Sequence, residues 1–173
     1  MNYLNLSHLI DLIEEPNRSA CLGIFNDNKK RFEDSPGSLT KHQAWPGGYI
    51  HHLEEVMNFG HDLFNFMNSQ RELDFSLSDI ILVLFLHDLE KPFRYVDPKK
   101  EFHSDEDKKV FIEEIISSYG IILDKNHKNA LLYIHGEGDE YSRTERIQKP
   151  LAAFVHMCDV TSARIWFDYP RQK

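Results

Sequence analysis

Four separated stretches of the sequence set imidazole and carboxylate side chains among apolar neighbours. They are His52 in "GGYIHHLEEV", His87 and Asp88 in "DIILVLFLHDLEKP", His135 in "LLYIHGEG", and His156 with Asp159 in "FVHMCDVTSAR". Where such groups converge they hold a divalent transition ion, and a bound ion lowers the pKa of a water until it is a nucleophile near neutral pH. The spacing supports convergence. His87 and Asp88 directly follow seven apolar residues, Ile80 to Leu86. Burying either group there costs several kcal/mol unless a charge partner or a metal meets it. Asp159 also ends an apolar stretch, and His156, three residues earlier, lies on the same helical face. A lone "HD" reads more readily as a pair at a fraying helix end; the other three stretches favour a metal site.

Of the three histidines in "GGYIHHLEEVMNFGH", only His52 is a ligand candidate. His51 points about 100° away around the helix, as a surface or supporting residue, and His61 about 180° away, as a solvated one.

The elements that would carry these residues are helical. Leu4 to Glu15 has apolar residues at helical spacing and stops at Pro16. Residues 26–46 are polar and rich in turn formers, and read as a long loop. Tyr49 to about Ser69 follows as an amphipathic helix. Ser76 or Ser78 then caps a helix from Asp79 to about Lys91, stopped by Pro92. That helix is apolar all round and belongs at the centre of the domain. Asp105 to Tyr119, with acidic residues first and Gly120 after, Asp124 to His135, and Pro150 to about Phe167 complete the set. No stretch alternates as a strand does. The expectation is an all-α, compact bundle of about six helices, which can bring ligands from different helices into its interior.

At 173 residues, with 41% hydrophobic and 28% charged side chains, the chain suits one domain spanning residues 1–173. Its motif-bearing core is 41–167, preceded by the N-terminal helix and loop at 1–40. No apolar run approaches the roughly 20 residues of a membrane span, and the N-terminus lacks a secretion signal, so a cytoplasmic location is expected. Cys21 and Cys158 read as reduced packing residues. A net charge of −8 disfavours long nucleic acids, whose binding draws on Lys and Arg neutralising phosphates. A small anionic substrate in a locally positive pocket remains compatible.

With these motifs in view, the sequence resembles the HD-domain superfamily of metal-dependent phosphohydrolases, whose pattern of His, then His-Asp, then a distant Asp matches His52, His87-Asp88 and Asp159. "HDLEKP" resembles the family's His-Asp-x-x-Lys form and brings in Lys91. Within the superfamily the likeness is to the HD domain of bacterial 3′-to-5′ exoribonucleases, through "HQAWPGGYIHH", "IHGEG" and "VHMCDVTSAR", and it covers about Lys41 to Ile165. Two departures stand out. The first forty residues are too short for the OB-type domain that precedes the HD domain in those enzymes, which argues against a long RNA substrate. Ile134 stands where they carry a second His, thinning a second metal shell.

The resemblance implies that His52, His87, Asp88 and Asp159 bind one divalent ion, with Mn, Fe, Co, Ni or Zn suiting mixed His/Asp ligation. It implies His135 and His103 as ligands of a second ion, although His135 equally fits a helix C-terminus and His103 a solvated loop. His156 is open to three roles: ligand, substrate contact, or support for Asp159. Asp88 and Lys91 would be catalytic, Lys91 against phosphate. Lys41, His42 and Arg164 are candidates for phosphate, set against ordinary solvated side chains, and Trp45 would stack a base or, more simply, pack. The expected function is hydrolysis of a phosphoester in a nucleotide or short oligonucleotide by metal-activated water. The alternatives are an exoribonuclease-like nuclease that recruits RNA by oligomerising, and a non-catalytic nucleotide or metal sensor.

Overall fold

The computed structural model describes residues 3–97 and 102–168. Among them every regular element is helical: α1 (Leu6–Ile10), α2 (Asn17–Asp27), α3 (Lys29–Asp34), α4 (Gly48–Gln70), α5 (Leu77–Leu86), α6 (Lys91–Val96), α7 (Asp105–Ser118), α8 (Lys125–Tyr133) and α9 (Pro150–Val160), with a 3-10 turn at Gly138–Glu140 and a π turn at Thr161–Ile165. No described helix is long and apolar enough to cross a membrane.

The helix starts follow from local chemistry. Ser76 begins α5 as a capping box: its side chain accepts from the Asp79 N–H, and the Asp79 carboxylate accepts from the Ser76 N–H at 2.7 Å. Two orphan donors are thereby satisfied. Ser104 with Asp107 does the same for α7, and Asp124 caps α8. Gly120, in the left-handed region at φ 70°, ends the turn after α7 as expected.

The elements differ from the sequence reading in four places. The first helix stops at Ile10. The stretch expected as loop holds the end of α2 and all of α3, whose Cys21, Ile24, Phe25 and Phe32 enter the core. The apolar helix ends at Leu86, and Pro92 lies in the first turn of α6, where a missing N–H breaks no hydrogen bond. The last helix leaves α geometry after Val160. Six helices run nine residues or more, but α2 takes the place that the N-terminal segment was expected to fill.

The core forms where α4 packs on α5, α8 on α9, and both α4 and α5 on α9. All of Ile80 to Leu86 is buried, as its all-round apolarity requires. Phe32 joins α3 to this centre, with its ring centroid 5.2 Å from Tyr49 and 6.2 Å from Phe85. Two glycines set the close approaches. A Cβ on Gly60 would lie 2.9 Å from Leu84 Cδ1 and 3.2 Å from Ile80 Cγ2, so these α5 side chains would have to give way to it. A Cβ on Gly48 would lie 1.9 Å from the Gln43 carbonyl oxygen, so the bend that aims the start of α4 requires glycine at this position. His52 stands one turn further along that helix.

Candidate metal centre

Three elements deliver four buried side chains to one point. His52 comes from the second turn of α4, His87 and Asp88 from the turn that ends α5, and Asp159 from the last turn of α9; together they form a group that can hold a metal ion, with one donor atom each, all within 4.8 Å of one another. His52 Nε2 lies 3.3 Å from His87 Nε2, 3.5 Å from Asp88 Oδ2 and 3.4 Å from Asp159 Oδ1. His87 Nε2 lies 3.1 Å from Asp88 Oδ2 and 3.7 Å from Asp159 Oδ1. Donors bonded at about 2.0–2.2 Å to a common ion stand about 2.8–3.6 Å apart, according to whether neighbouring bonds meet at 90° or at the tetrahedral angle. The observed spacings fall in or next to that interval.

The second nitrogen of each imidazole shows which one faces the group. His87 Nδ1 lies 2.7 Å from the Leu84 carbonyl, which can only accept, so Nδ1 carries the proton and Nε2 is the free donor atom. His52 Nδ1 is bonded to Ser162 Oγ at 3.0 Å, and its Nε2 likewise faces the centre.

The electrostatics describe a centre in want of positive charge. Two buried carboxylates face one amine, Lys91, whose Nζ is 2.5 Å from Asp88 Oδ2. Burial opposes every charge here. Lys91 and His87 nonetheless hold the Asp88 carboxyl well below its usual range, and hydrogen bonds from His135, His52 and His87 do the same for Asp159. Burial likewise works against charge on His87, yet the two carboxylates outweigh it and raise the imidazole to about 10. A proton on His87 thus stands where a cation would. Asp88 Oδ2, a buried oxygen, is compensated by the charges of Lys91 at 2.5 Å and His87 at 3.1 Å. Two imidazole Nε2 atoms turned towards two buried carboxylates, one of them exchanging its proton for a cation, make a donor set that fits an ion.

The other sequence candidates spread outwards from this point. His135 reaches the rim: its side chain is 61% exposed, with Nδ1 3.3 Å from Asp159 Oδ2 and Nε2 4.0 Å from Asp88 Oδ1. His156 is outside the group; its Nδ1 donates to the Ile134 carbonyl at 2.5 Å, bracing the turn that carries His135. His103 stands at the cap of α7, where its backbone N–H donates to Asp107 at 2.7 Å, and is not part of the four-donor group. His42 stacks obliquely on His52 with ring centroids 4.8 Å apart, and burial, then the charges of His52 and Lys91, push it down to about 4. Trp45 donates from Nε1 to His51 Nδ1 at 2.9 Å, so it packs against the outer face of α4. Lys41 and Arg164 are exposed, and His61 pairs with Asp62 at 3.1 Å on the surface.

Four further buried polar residues lie beside the centre, none marked by the motifs of the sequence. Tyr49 OH is fully buried without a partner, and burial, then the charges of Asp88 and Glu90, raise its hydroxyl well above the usual range. Gln43, Glu55 and Ser162 form a network behind His52. Only Glu55 left a local trace, as a carboxylate three residues after His52 on a face otherwise lined by Leu53, Val56 and Met57.

The chain matches no protein-family model, and comparison with curated proteins and with solved structures finds no match either.

Proposed function

We propose that this chain is a metal-dependent phosphohydrolase of the HD type, cleaving a phosphoester of a nucleotide or short oligonucleotide. One observation carries the reading: two imidazole nitrogens and two carboxylate oxygens stand at the spacing of a single coordination shell, with the Lys91 amine against one of the carboxylates. The donor set suits Mn, Fe, Co, Ni or Zn. An ion bound there would lower the pKa of a water towards 7 and polarise a phosphoryl oxygen.

The residues around it have separate tasks. His52 and His87 hold their bare nitrogens in place through Ser162 and the Leu84 carbonyl. Asp88 and Asp159 bring the negative charge that retains a divalent cation in a buried position. Lys91, almost wholly buried, is available to charge developing on the phosphoryl oxygens, the largest contribution in reactions of this class. His135 is exposed beside both carboxylates, where it can meet a substrate oxygen or a second ion. For a second ion, His135 stands beside Asp88 and Asp159 whereas His103 lies at the cap of α7, so the one-ion form is the better supported. The net charge of −8 favours a small substrate over a long polyanion.

The test is Mn²⁺-dependent hydrolysis of mononucleotides, dinucleotides and long RNA between 50 and 200 mM salt, for wild type and Lys91→Ala. We expect cleavage of the small substrates to depend weakly on salt. Lys91→Ala should retain metal and lose turnover by roughly 10²–10³-fold, the scale for removing one donor to transition-state charge. Faster cleavage of long RNA with a steep salt dependence would replace this reading with the exonuclease. Nucleotide binding without hydrolysis would replace it with the sensor.

A further inference from the structure

Behind His52 lies a buried polar network that metal binding does not itself require. Gln43 comes from the bend before α4, Glu55 from α4, and Ser162 from the π turn after α9, and all three are buried. Glu55 Oε2 accepts a very short hydrogen bond from Ser162 Oγ and another from Gln43 Nε2 at 3.0 Å. With its proton directed to Glu55, Ser162 Oγ is left as the acceptor for His52 Nδ1.

The Gln43 amide has its orientation forced as well. Nε2 faces the Glu55 carboxylate and, at 3.3 Å, the Trp166 carbonyl, both of which accept. Oε1 therefore faces His42 Nδ1, 2.8 Å away, and that nitrogen must carry the proton. Both imidazoles are left with Nε2 bare. For His52 this atom enters the four-donor group. For His42 it has no hydrogen-bond partner among the described residues, and it is not one of the enclosed polar atoms that lack one. It is open to a ligand next to the centre.

We propose that Glu55 anchors a two-armed relay, acting through Ser162 on His52 and through Gln43 on His42, which presents His42 as a hydrogen-bond acceptor for a hydroxyl group or water and not as a cation for phosphate. Glu55, Ser162 and Gln43 are positioning residues. The assignment of His42 replaces the phosphate contact expected from sequence, since a bare nitrogen repels a phosphate oxygen. It also adds to the substrate class: the group bound beside the scissile phosphate carries a donor, as a sugar hydroxyl does. This last point rests on the proposed function, whereas the relay does not.

The experiment is long-range ¹⁵N NMR of the imidazole nitrogens in the whole chain, with Mn²⁺ affinity measured separately. In wild type, His42 and His52 should both be Nδ1–H tautomers. Gln43→Met should release His42 into a mixture of tautomers, leaving His52 and Mn²⁺ affinity near wild type. Ser162→Ala should do the reverse, weakening Mn²⁺ binding by about 10–100-fold, the scale for partners of metal-bound imidazoles, and Ser162→Thr, which keeps the hydroxyl, should restore it. An Nε2–H tautomer of His42 in wild type, or unchanged Mn²⁺ affinity in Ser162→Ala, would overturn the relay. Failure of wild type to bind Mn²⁺ would defeat the proposed function alone, because the tautomers still decide the relay.

Discussion

Among the described residues, histidine and aspartate from different helices meet in two places, and the two differ in how their polar atoms are used. Between the starts of α5 and α8, His127 Nε2 is 2.9 Å from Asp79 Oδ1, while its Nδ1 lies 2.9 Å from Asp124 Oδ1 and 3.2 Å from the Asp124 backbone nitrogen. Both ring nitrogens are engaged, and Asp79 is further occupied by the Ser76 cap. At the centre, His52 and His87 each use one nitrogen to hold the ring and turn the other towards a like nitrogen and two carboxylates. The first arrangement is complete and ties two helices together. The second is open to a cation. Residue type alone does not separate them; accounting for the second nitrogen of each imidazole does.

Removing a donor from the open cluster should have the largest effect. Asp88→Asn takes away one ligand charge, and its Mn²⁺ affinity should fall by more than the roughly 100-fold upper end for outer partners. Elemental analysis and calorimetry would check this, and equal metal content in wild type and variant would remove the distinction drawn here. The closed pair should respond in the opposite way. His127→Ala should leave Mn²⁺ affinity unchanged while lowering stability by about 1–3 kcal/mol, because Asp79 loses its partner; urea unfolding with and without metal reads both quantities.

The smallest effect is in pH dependence. The hydrogen bond from His127 holds the Asp79 carboxyl down at about 2, so its contribution is present above the unfolded value of 3.8 and fades as pH falls through about 2. Burial opposes charge on His127, but Asp79 and Asp124 outweigh it and raise its pKa; its contribution is therefore full below 6.5 and is lost as pH rises past that value. The pair should stabilise most between about pH 4 and 6.5. Asp79→Asn should flatten unfolding free energy against pH on the acid side, and a profile identical to wild type would show the pair to be incidental.

The open cluster was largely legible in the sequence because its residues break local rules. His87 and Asp88 follow seven buried apolar residues, and Asp159 ends another apolar run; ionisable groups in such positions call for compensation wherever the helices lie. The long helices were legible for a related reason, through apolar spacing and through Ser76, Asp124 and Gly120 at their ends. Helices α2 and α3 were not, since Asn17, Gly23, Asp27 and Asn28 look like turn formers and mask the apolar triplet Cys21, Ile24 and Phe25. Pro92 was misread because proline marks a stop and a first turn equally well. The Gln43–Glu55–Ser162 network could not be read at all: Gln43 and Ser162 are 119 positions apart, and only the fold joins them. His156 resisted assignment for the same reason, its partner being a backbone carbonyl 22 residues away.

The π turn after α9 has a consequence for the order in which the protein is made. Asp159 and Ser162 are the last contributors to the centre in chain order, one as a donor and one as the group bonded to His52, and both follow His52, His87 and Asp88 by about seventy residues or more. Growing from its N-terminus, a nascent chain carries at most three of the four donors until α9 has been synthesised, and the partner of His52 Nδ1, Ser162, follows three residues later. The α4–α5 pair can already be packed while the centre is still incomplete. Capture of an ion by all four donors must therefore wait for α9, and a chain truncated before Asp159 should fold in part and hold metal more weakly.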